Sequence, residues 1–268
     1  MQPPRRGVGH GGAAASDPGA AGGDAPWHVQ WRASSASTND ELVAAVASGA
    51  AGTGTVIATD NQTAGHGRLG RQWVSPPGGG LAASALVAEP LVPAGAFPAH
   101  AGLVPLLAGL AVVDALADAG LQSRLKWPND VLVSGRKVAG VLCRAVDSRV
   151  VVGIGVNTAL TAEQLPVPTA GSLAMFGVSI APRELLGLLL HALDAELAQW
   201  REAGSTALLH DYRQACATIG QKVRVHMPNR EFTGDAVGVD DDGALVVVCD
   251  GEAVTVSAGD VIHLRESD

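Results

Sequence analysis

Cysteine is sparse in this sequence: Cys143, Cys216 and Cys249 are the only three in 268 residues, and they stand far apart. They form no CxxC pair and no metal-ligand spacing, which speaks against a zinc site or a disulfide framework and for small thiols in a reducing compartment. A basic excess is missing as well. The chain has 18 Lys and Arg against 26 Asp and Glu, a formal net charge of -8. General binding to a nucleic-acid backbone is therefore disfavoured, and any anion site must be a local cluster of cations. No uninterrupted apolar run is read as long enough to span a bilayer; the longest candidate, 185–197, is broken by His191, Asp194 and Glu196. The N-terminus lacks the apolar stretch of a secretory signal. These absences lead to the expectation of a cytoplasmic protein with no membrane and no DNA among its partners.

Hydrophobic residues make up 47% and charged residues 16% of the chain, enough to bury a sizeable core in one large α/β domain, with or without a small appendage. Residues 1–26 are mostly Gly, Ala, Pro and Ser and are expected to form a disordered tail, too short and Gly-rich for a helix-turn-helix module. Order is expected from Trp27 onward. Ser37-Thr38-Asn39-Asp40-Glu41 precedes Leu42, Val43 and Val46 at helical spacing, which predicts an N-capped helix with acids in its first turn. Strands are predicted at 55–58, 81–88, 123–126, 131–133, 137–145 and 150–156, with a hairpin turn at Ser134-Gly135-Arg136. Helices are predicted at 103–119, from Pro182 to about 203, and at 206–217. After Gly220 five short strands alternate with turns such as Asp242-Gly243 and Asp250-Gly251, which predicts a small β-barrel.

Gly65-His66-Gly67-Arg68-Leu69-Gly70-Arg71 satisfies G-x-G-x-x-G. A dinucleotide fold needs a helix straight after it, and Arg71 to Gly80, with Pro76, Pro77 and three glycines, cannot supply one. A better reading is a loop whose glycines let backbone approach an anion while Arg68 and Arg71 present fixed forks to phosphate or carboxylate; the bland alternative is a solvated basic turn. His10, His28, His100, His191, His210, His226 and His263 show no ligand spacing and read as surface or satisfied core. Trp200 and Tyr212 read as helix-face packing, and Asp240-Asp241-Asp242 as a solvated turn, since the other positions of a calcium loop are missing.

The run Gln62 to Trp73 resembles the ATP- and biotin-binding loop of biotin protein ligases. Leu125-Lys126-Trp127-Pro128-Asn129-Asp130, followed by Gly135-Arg136-Lys137-Val138-Ala139-Gly140-Val141-Leu142, is similar to that family's next motif. Gly153-Ile154-Gly155-Val156-Asn157 and Ser37-Thr38-Asn39 match two more, and all four fall in the family's order between about 34 and 160. One departure is His66, which stands where the family usually has arginine.

The resemblance implies an α/β (α+β) catalytic domain at 27–218, a mixed sheet with packed helices of the class II aminoacyl-tRNA synthetase-like, biotin-lipoate ligase type. A C-terminal SH3-like β-barrel at 219–268 follows. ATP and biotin would be substrates, Mg²⁺ would accompany ATP, and the partner would be a biotin carboxyl carrier domain of an acyl-CoA carboxylase. A monofunctional enzyme is expected, as a monomer or weak homodimer. Arg68, Lys126, Asp130 and Lys137 are the catalytic candidates. Ser37, Thr38, Asn39, Gln62, Gly65, His66, Gly67, Arg68, Lys137 and Gly140 are the candidates for biotin, and Arg68, Arg71, Lys126, Trp127, Asn129 and Asn157 for ATP or the adenylate. Asp130 has three open roles: holding Mg²⁺, orienting Lys126, or orienting the acceptor lysine. Ser37 to Asn39 read equally as a helix cap, Asn129 and Asn157 as turn and strand-end residues, and Trp127 as core. Lipoate ligation, or a module that binds biotin or adenylate without catalysis, are the competing functions.

Overall fold

The computed structural model describes residues 27–89, 92–96, 100–227, 230–257 and 259–264; the tail expected at 1–26 lies outside them. The main sheet has seven strands. Across it run β1 (His28–Trp31), β2 (Thr55–Thr59), β5 (Gly80–Val87), β9 (Arg149–Asn157), β8 (Arg136–Val146), β7 (Asp130–Val133) and β6 (Arg124–Lys126). β1 and β2 are parallel and every other pair is antiparallel. The remaining two strands before residue 80, β3 (Gln62–His66) and β4 (Gln72–Ser75), form a separate ribbon. The segment expected to be a loop is therefore a hairpin, closed by a short 3-10 turn at Arg68–Gly70.

Because side chains alternate along a strand, the sheet builds two different faces. Val56, Ala58, Leu81, Ala83, Ala85, Val87, Val150, Val152, Ile154 and Val156 join one core with α2 (Val104–Asp118) and α3 (Pro182–Ala215). Ile57, Leu86 and Val151 point the other way and pack with Leu42 and Val46 of α1 (Thr38–Ala47). α1 covers only part of its face. Beyond it the same face carries Ala82, Ser84, Gly153, Gly155, Gly140 and Leu142, which pair across strands as Ala82–Gly155–Gly140 and Ser84–Gly153–Leu142. Small side chains there leave a floor on which something else can lie.

One helical expectation changes. The helix at 182 and that at 206 are one element, α3, kinked at Gly204, whose φ of 76° takes it out of helical conformation at no steric cost to glycine. Ala101–Asp118 is, by length and composition alone, apolar enough to cross a membrane, which the expectation about apolar runs overlooked. The structure uses this stretch as core, with Leu107, Ala108, Ala111, Val112, Ala115 and Leu116 fully buried.

The last five strands, β10 (Lys222–Met227), β11 (Arg230–Val239), β12 (Leu245–Cys249), β13 (Glu252–Val256) and β14 (Asp260–His263), form an antiparallel sheet in the order β13-β12-β11-β10-β14. Among the described residues its end strands do not pair with each other, so the sheet expected to close into a barrel stays open. The acidic turn before β12 is what the sequence suggested: Asp240 Oδ1 accepts from the amides of Asp242 and Ala244 at 3.1 and 2.9 Å.

Candidate active site

The neutral half of the site grows from the start of α1. Ser37 caps the helix, its Oγ accepting from Asp40 N at 3.2 Å, an arrangement worth about 1 kcal/mol. With Ser37 fixed, Thr38 and Asn39 turn toward the sheet. Thr38 N donates to Gln62 Oε1 at 2.9 Å, and Thr38 Oγ1 lies 2.8 Å from Ser84 Oγ. Ser84 Oγ donates to Asn39 Oδ1 at 3.1 Å, and Asn39 Nδ2 donates to the Leu142 carbonyl at 3.0 Å. Thr38, Asn39, Gln62 and Ser84 are all buried, so this is an internally satisfied polar patch at the edge of the small-residue floor. Ser84 was not singled out in the sequence. Its only signal is a hydroxyl at an inward position of a strand otherwise made of Gly, Ala, Leu and Val.

Glycines fix the floor. A Cβ on Gly153 would collide with the Asn39 amide, and one on Gly155 would meet the Trp73 ring at 2.5 Å. Trp73 reaches from β4 across Gly155 and towards Gly140, where a Cβ would come within 3.5 Å of its ring and 3.2 Å of Lys137 Nζ. Lys137 Nζ itself stands 5.5 Å from the Trp73 ring centroid, a cation–π arrangement. Trp73 thus lies directly on the small-residue floor, a placement invisible in a sequence where it reads as the end of a glycine loop. A Cβ on Gly65 would meet the Gln62 side chain and the Trp73 carbonyl, so the tight β3–β4 ribbon needs glycine there.

The charged half surrounds Asp130. Lys126 and Asp130 are cross-strand partners in β6 and β7, and Lys137 Nζ contacts Asp130 Oδ1 at 2.5 Å. Arg68, Arg71 and Lys126 all lie near enough for the Asp130 charge to raise their proton affinity. In Arg68 and Lys126 burial wins, and both pKa values sit below the ordinary range because desolvation penalises the charged form. Arg71 moves upward, chiefly through its bond to Asp260. Arg68 also donates to Asn129 Oδ1 at 3.4 Å and to the Gly259 carbonyl at 3.3 Å. The hairpin cations are therefore held against the start of β14, a partner the sequence did not reveal.

Other candidates fall elsewhere. His66 Nε2 lies 2.9 Å from Asp40 Oδ2, and Arg144 pairs with the other oxygen of the same carboxylate, so His66 ties β3 to α1 at the exposed rim. Asn129 Nδ2 donates to Val141 O at 2.8 Å and Asn157 Nδ2 to Gly171 O at 2.9 Å, so each gives one of its two hydrogens to backbone. Trp127 is 2% exposed and its Nε1 donates to Gly243 O at 3.0 Å. It packs in the seam with the C-terminal sheet.

A buried patch of neutral donors and acceptors beside a small-residue floor, next to a group of cations about Asp130, suits a ligand with an uncharged polar head and an acid that is brought to a phosphate. The Biotin/lipoate A/B protein ligase family matches residues 32–158, and the Biotin protein ligase C terminal domain matches 218–264. The chain is 41% identical to a biotin–[acetyl-CoA-carboxylase] ligase of Mycobacterium tuberculosis, over 87% of this chain and 88% of that one. It is 37% identical to a ligase of the same name from Paracoccus denitrificans, covering 79% and 90%. A structure of biotin protein ligase from Aquifex aeolicus in complex with biotin and ATP superposes with a TM-score of 0.75 at 27% identity, covering 89% and 99%. The chain belongs to the biotin protein ligase family.

Proposed function

We propose that this protein uses ATP to convert biotin into biotinyl-5′-AMP and then transfers the biotinyl group to a lysine of a biotin carboxyl carrier domain. The relatives' names and the biotin- and ATP-bound Aquifex neighbour support this reading. The observation that carries it is the gathering of Arg68, Arg71, Lys126 and Lys137 around Asp130, next to the neutral patch of Thr38, Asn39 and Gln62.

The chemistry needs both halves. An oxygen of the biotin carboxylate attacks the α-phosphorus of ATP, an O–P bond forms, and pyrophosphate leaves. Two anions must meet, so fixed positive charge in a partly dry site lowers the barrier. Arg68 and Lys137 hold the carboxylate and α-phosphate, while Arg71 and Lys126 face the departing phosphates. In the second step the acceptor amine attacks the acyl carbon and AMP leaves, its proton passing to solvent or phosphate. The ureido ring, uncharged with donors and acceptors, is taken by Ser37, Thr38, Asn39 and Gln62 with the Gly65-His66-Gly67 backbone. Ala82, Ser84, Gly140, Gly153 and Gly155 form the small-residue floor beside that patch, and Trp73, Lys137 and Asn39 rest directly on its glycines. The Asn129 and Asn157 amides frame the adenylate side.

Of the open roles for Asp130, we favour orienting a lysine, and the contact of Lys137 Nζ with Asp130 Oδ1 at 2.5 Å supports Lys137 as that lysine. Mg²⁺ would arrive with the triphosphate and draw most of its ligands from it. Among the described residues no group of three or more His, Cys, Asp or Glu is placed to hold a metal by itself, so the ion would depend on the triphosphate, with Asp130 as the carboxylate beside it. We infer a catalytic unit at 27–218, a C-terminal unit at 219–268, and a cytoplasmic place of work where ATP and carboxylases meet.

Incubation of the protein with ATP, biotin and a carrier domain should add one biotinyl group to the carrier, read by intact mass. Pyrophosphate exchange driven by lipoate and not by biotin would shift the assignment to lipoate ligation. Biotin binding without any exchange or labelling would leave only a binding module.

A further inference from the structure

Lys126 lies at the end of β6, a three-residue strand at the edge of the main sheet with a ladder partner on one side only. Its other side is tied to the connection between α3 and the C-terminal sheet. Ala217 N donates to Leu125 O at 2.7 Å, and the Arg124 guanidinium donates to the carbonyls of Gln214, Ala215 and Cys216. One residue further on, Trp127 N donates to Thr218 Oγ1 at 3.0 Å, and Thr218 Oγ1 lies 2.9 Å from His263 Nε2. Thr218 is fully buried, so its hydroxyl proton must find an acceptor inside. One of its two lone pairs serves the Trp127 amide, which is a donor and cannot take the proton, and His263 Nε2 is the other polar atom against the hydroxyl. The proton therefore goes to His263 Nε2, which must be unprotonated, with the ring hydrogen on Nδ1.

We propose that His263, through Thr218, is a positioning residue for the adenylation reaction. It fixes the Lys126-Trp127 backbone from the C-terminal sheet and so sets where the Lys126 ammonium stands. The inference rests on the reading of Lys126 as a phosphate-facing cation. A neutral ring suits the place: burial first, and then the nearby Lys126 charge, hold the His263 pKa down at about 4. A positively charged group in its position would both break the relay and repel the lysine it supports. Two side chains and a backbone amide thus link the last strand of the small sheet to the cation ring: an acceptor on β14, a hydroxyl with one proton to give, and the Trp127 N–H that needs a partner.

The test uses the full chain and pyrophosphate exchange with ATP and biotin varied separately, beside biotin binding measured without ATP. His263→Ala should lower kcat/KM for ATP about tenfold and leave biotin affinity within twofold. His263→Gln, whose Oε1 can accept the same proton, should stay within threefold of wild type. Thr218→Val should match His263→Ala, and the double variant should be no worse than either. Wild-type ATP kinetics in His263→Ala, an equal loss of biotin affinity, a His263→Gln as impaired as the alanine variant, or additive losses in the double variant would each overturn the relay. Lys126→Met is the companion measurement. If it exchanges normally, the site reading and the relay fall together; if it is impaired while His263→Ala is normal, only the relay falls.

Discussion

Lys137 is held from two sides, by the Asp130 carboxylate and by the face of Trp73, and it stands over the floor at Gly140. A side chain so fixed has little left to lose on binding, which is what electrostatic stabilisation of a charged transition state requires. Lys137→Ala should lower pyrophosphate exchange by roughly 10²–10³-fold, the cost typical of removing one such donor. Near wild-type pyrophosphate release by that variant would remove Lys137 from the reaction. His66 makes the opposite case. Its contact to Asp40 is at the exposed rim, where an ion pair contributes about 0–1 kcal/mol, and arginine can make the same contact. His66→Arg should keep biotin affinity within about threefold on that scale; a tenfold loss would reveal a role beyond the Asp40 contact. At this scale the cations and the Ser-Thr-Asn motif could be read from the chain, because their chemistry is local. Ser84, Trp73, Thr218 and His263 could not, because each matters only through a partner dozens of residues away.

Among the elements, α1, α2 and the β7–β8 hairpin were legible because capping, apolar run length and a Ser-Gly turn are short-range signals. Ser134 and Gly135 do take positive φ values of 47° and 76°, as a tight two-residue hairpin asks. The β3–β4 ribbon was not legible. Its glycines carry no hydrophobic alternation, and it is held by Gly65 fitting against Gln62 and the Trp73 carbonyl and by Trp73 packing on Gly155 of the sheet below. Nor was the α2–α3 contact, where the buried Glu196 meets Asp114, with Asp118, Asp211, Gln199 and Arg124 around the pair. Arg124 gives its guanidinium to backbone carbonyls, so the two acids share a proton. Burial, and then the bond to Asp114, push the Glu196 carboxyl up to about 8. The folded chain then binds more protons than the unfolded chain between the ordinary carboxyl range and about pH 8, so stability falls as pH rises through that window. Melting temperatures across pH 5 to 9 should decline, and Glu196→Gln, which keeps the shape without the titration, should flatten the decline. A Glu196→Gln profile parallel to wild type would mean that the proton lies elsewhere.

For the whole molecule, the question is whether the C-terminal sheet is a separate unit or part of one cooperative structure. Two domains joined by a small polar interface melt apart. Here Val223, Val225, Ala236, Val239, Leu245 and Val247 belong to the same buried cluster as Leu103, Leu106 and Trp127. Trp127 Nε1 donates to Gly243 O, and Arg213 Nε donates to Val239 O at 2.8 Å. Removing the small sheet would uncover a tryptophan, two leucines and several hydrogen-bonding groups at once. Cooperative unfolding in one transition follows, with the calorimetric enthalpy close to the van't Hoff value. Biotin and ATP should move that transition as a block. Ligand at about 100 times its Kd adds about 2.7 kcal/mol, a rise of roughly 5–10 °C for a chain of this size. Two resolved transitions, only one of which moves with ligand, would show that the sheets fold independently and that the seam at Trp127 carries far less of the stability than its packing implies.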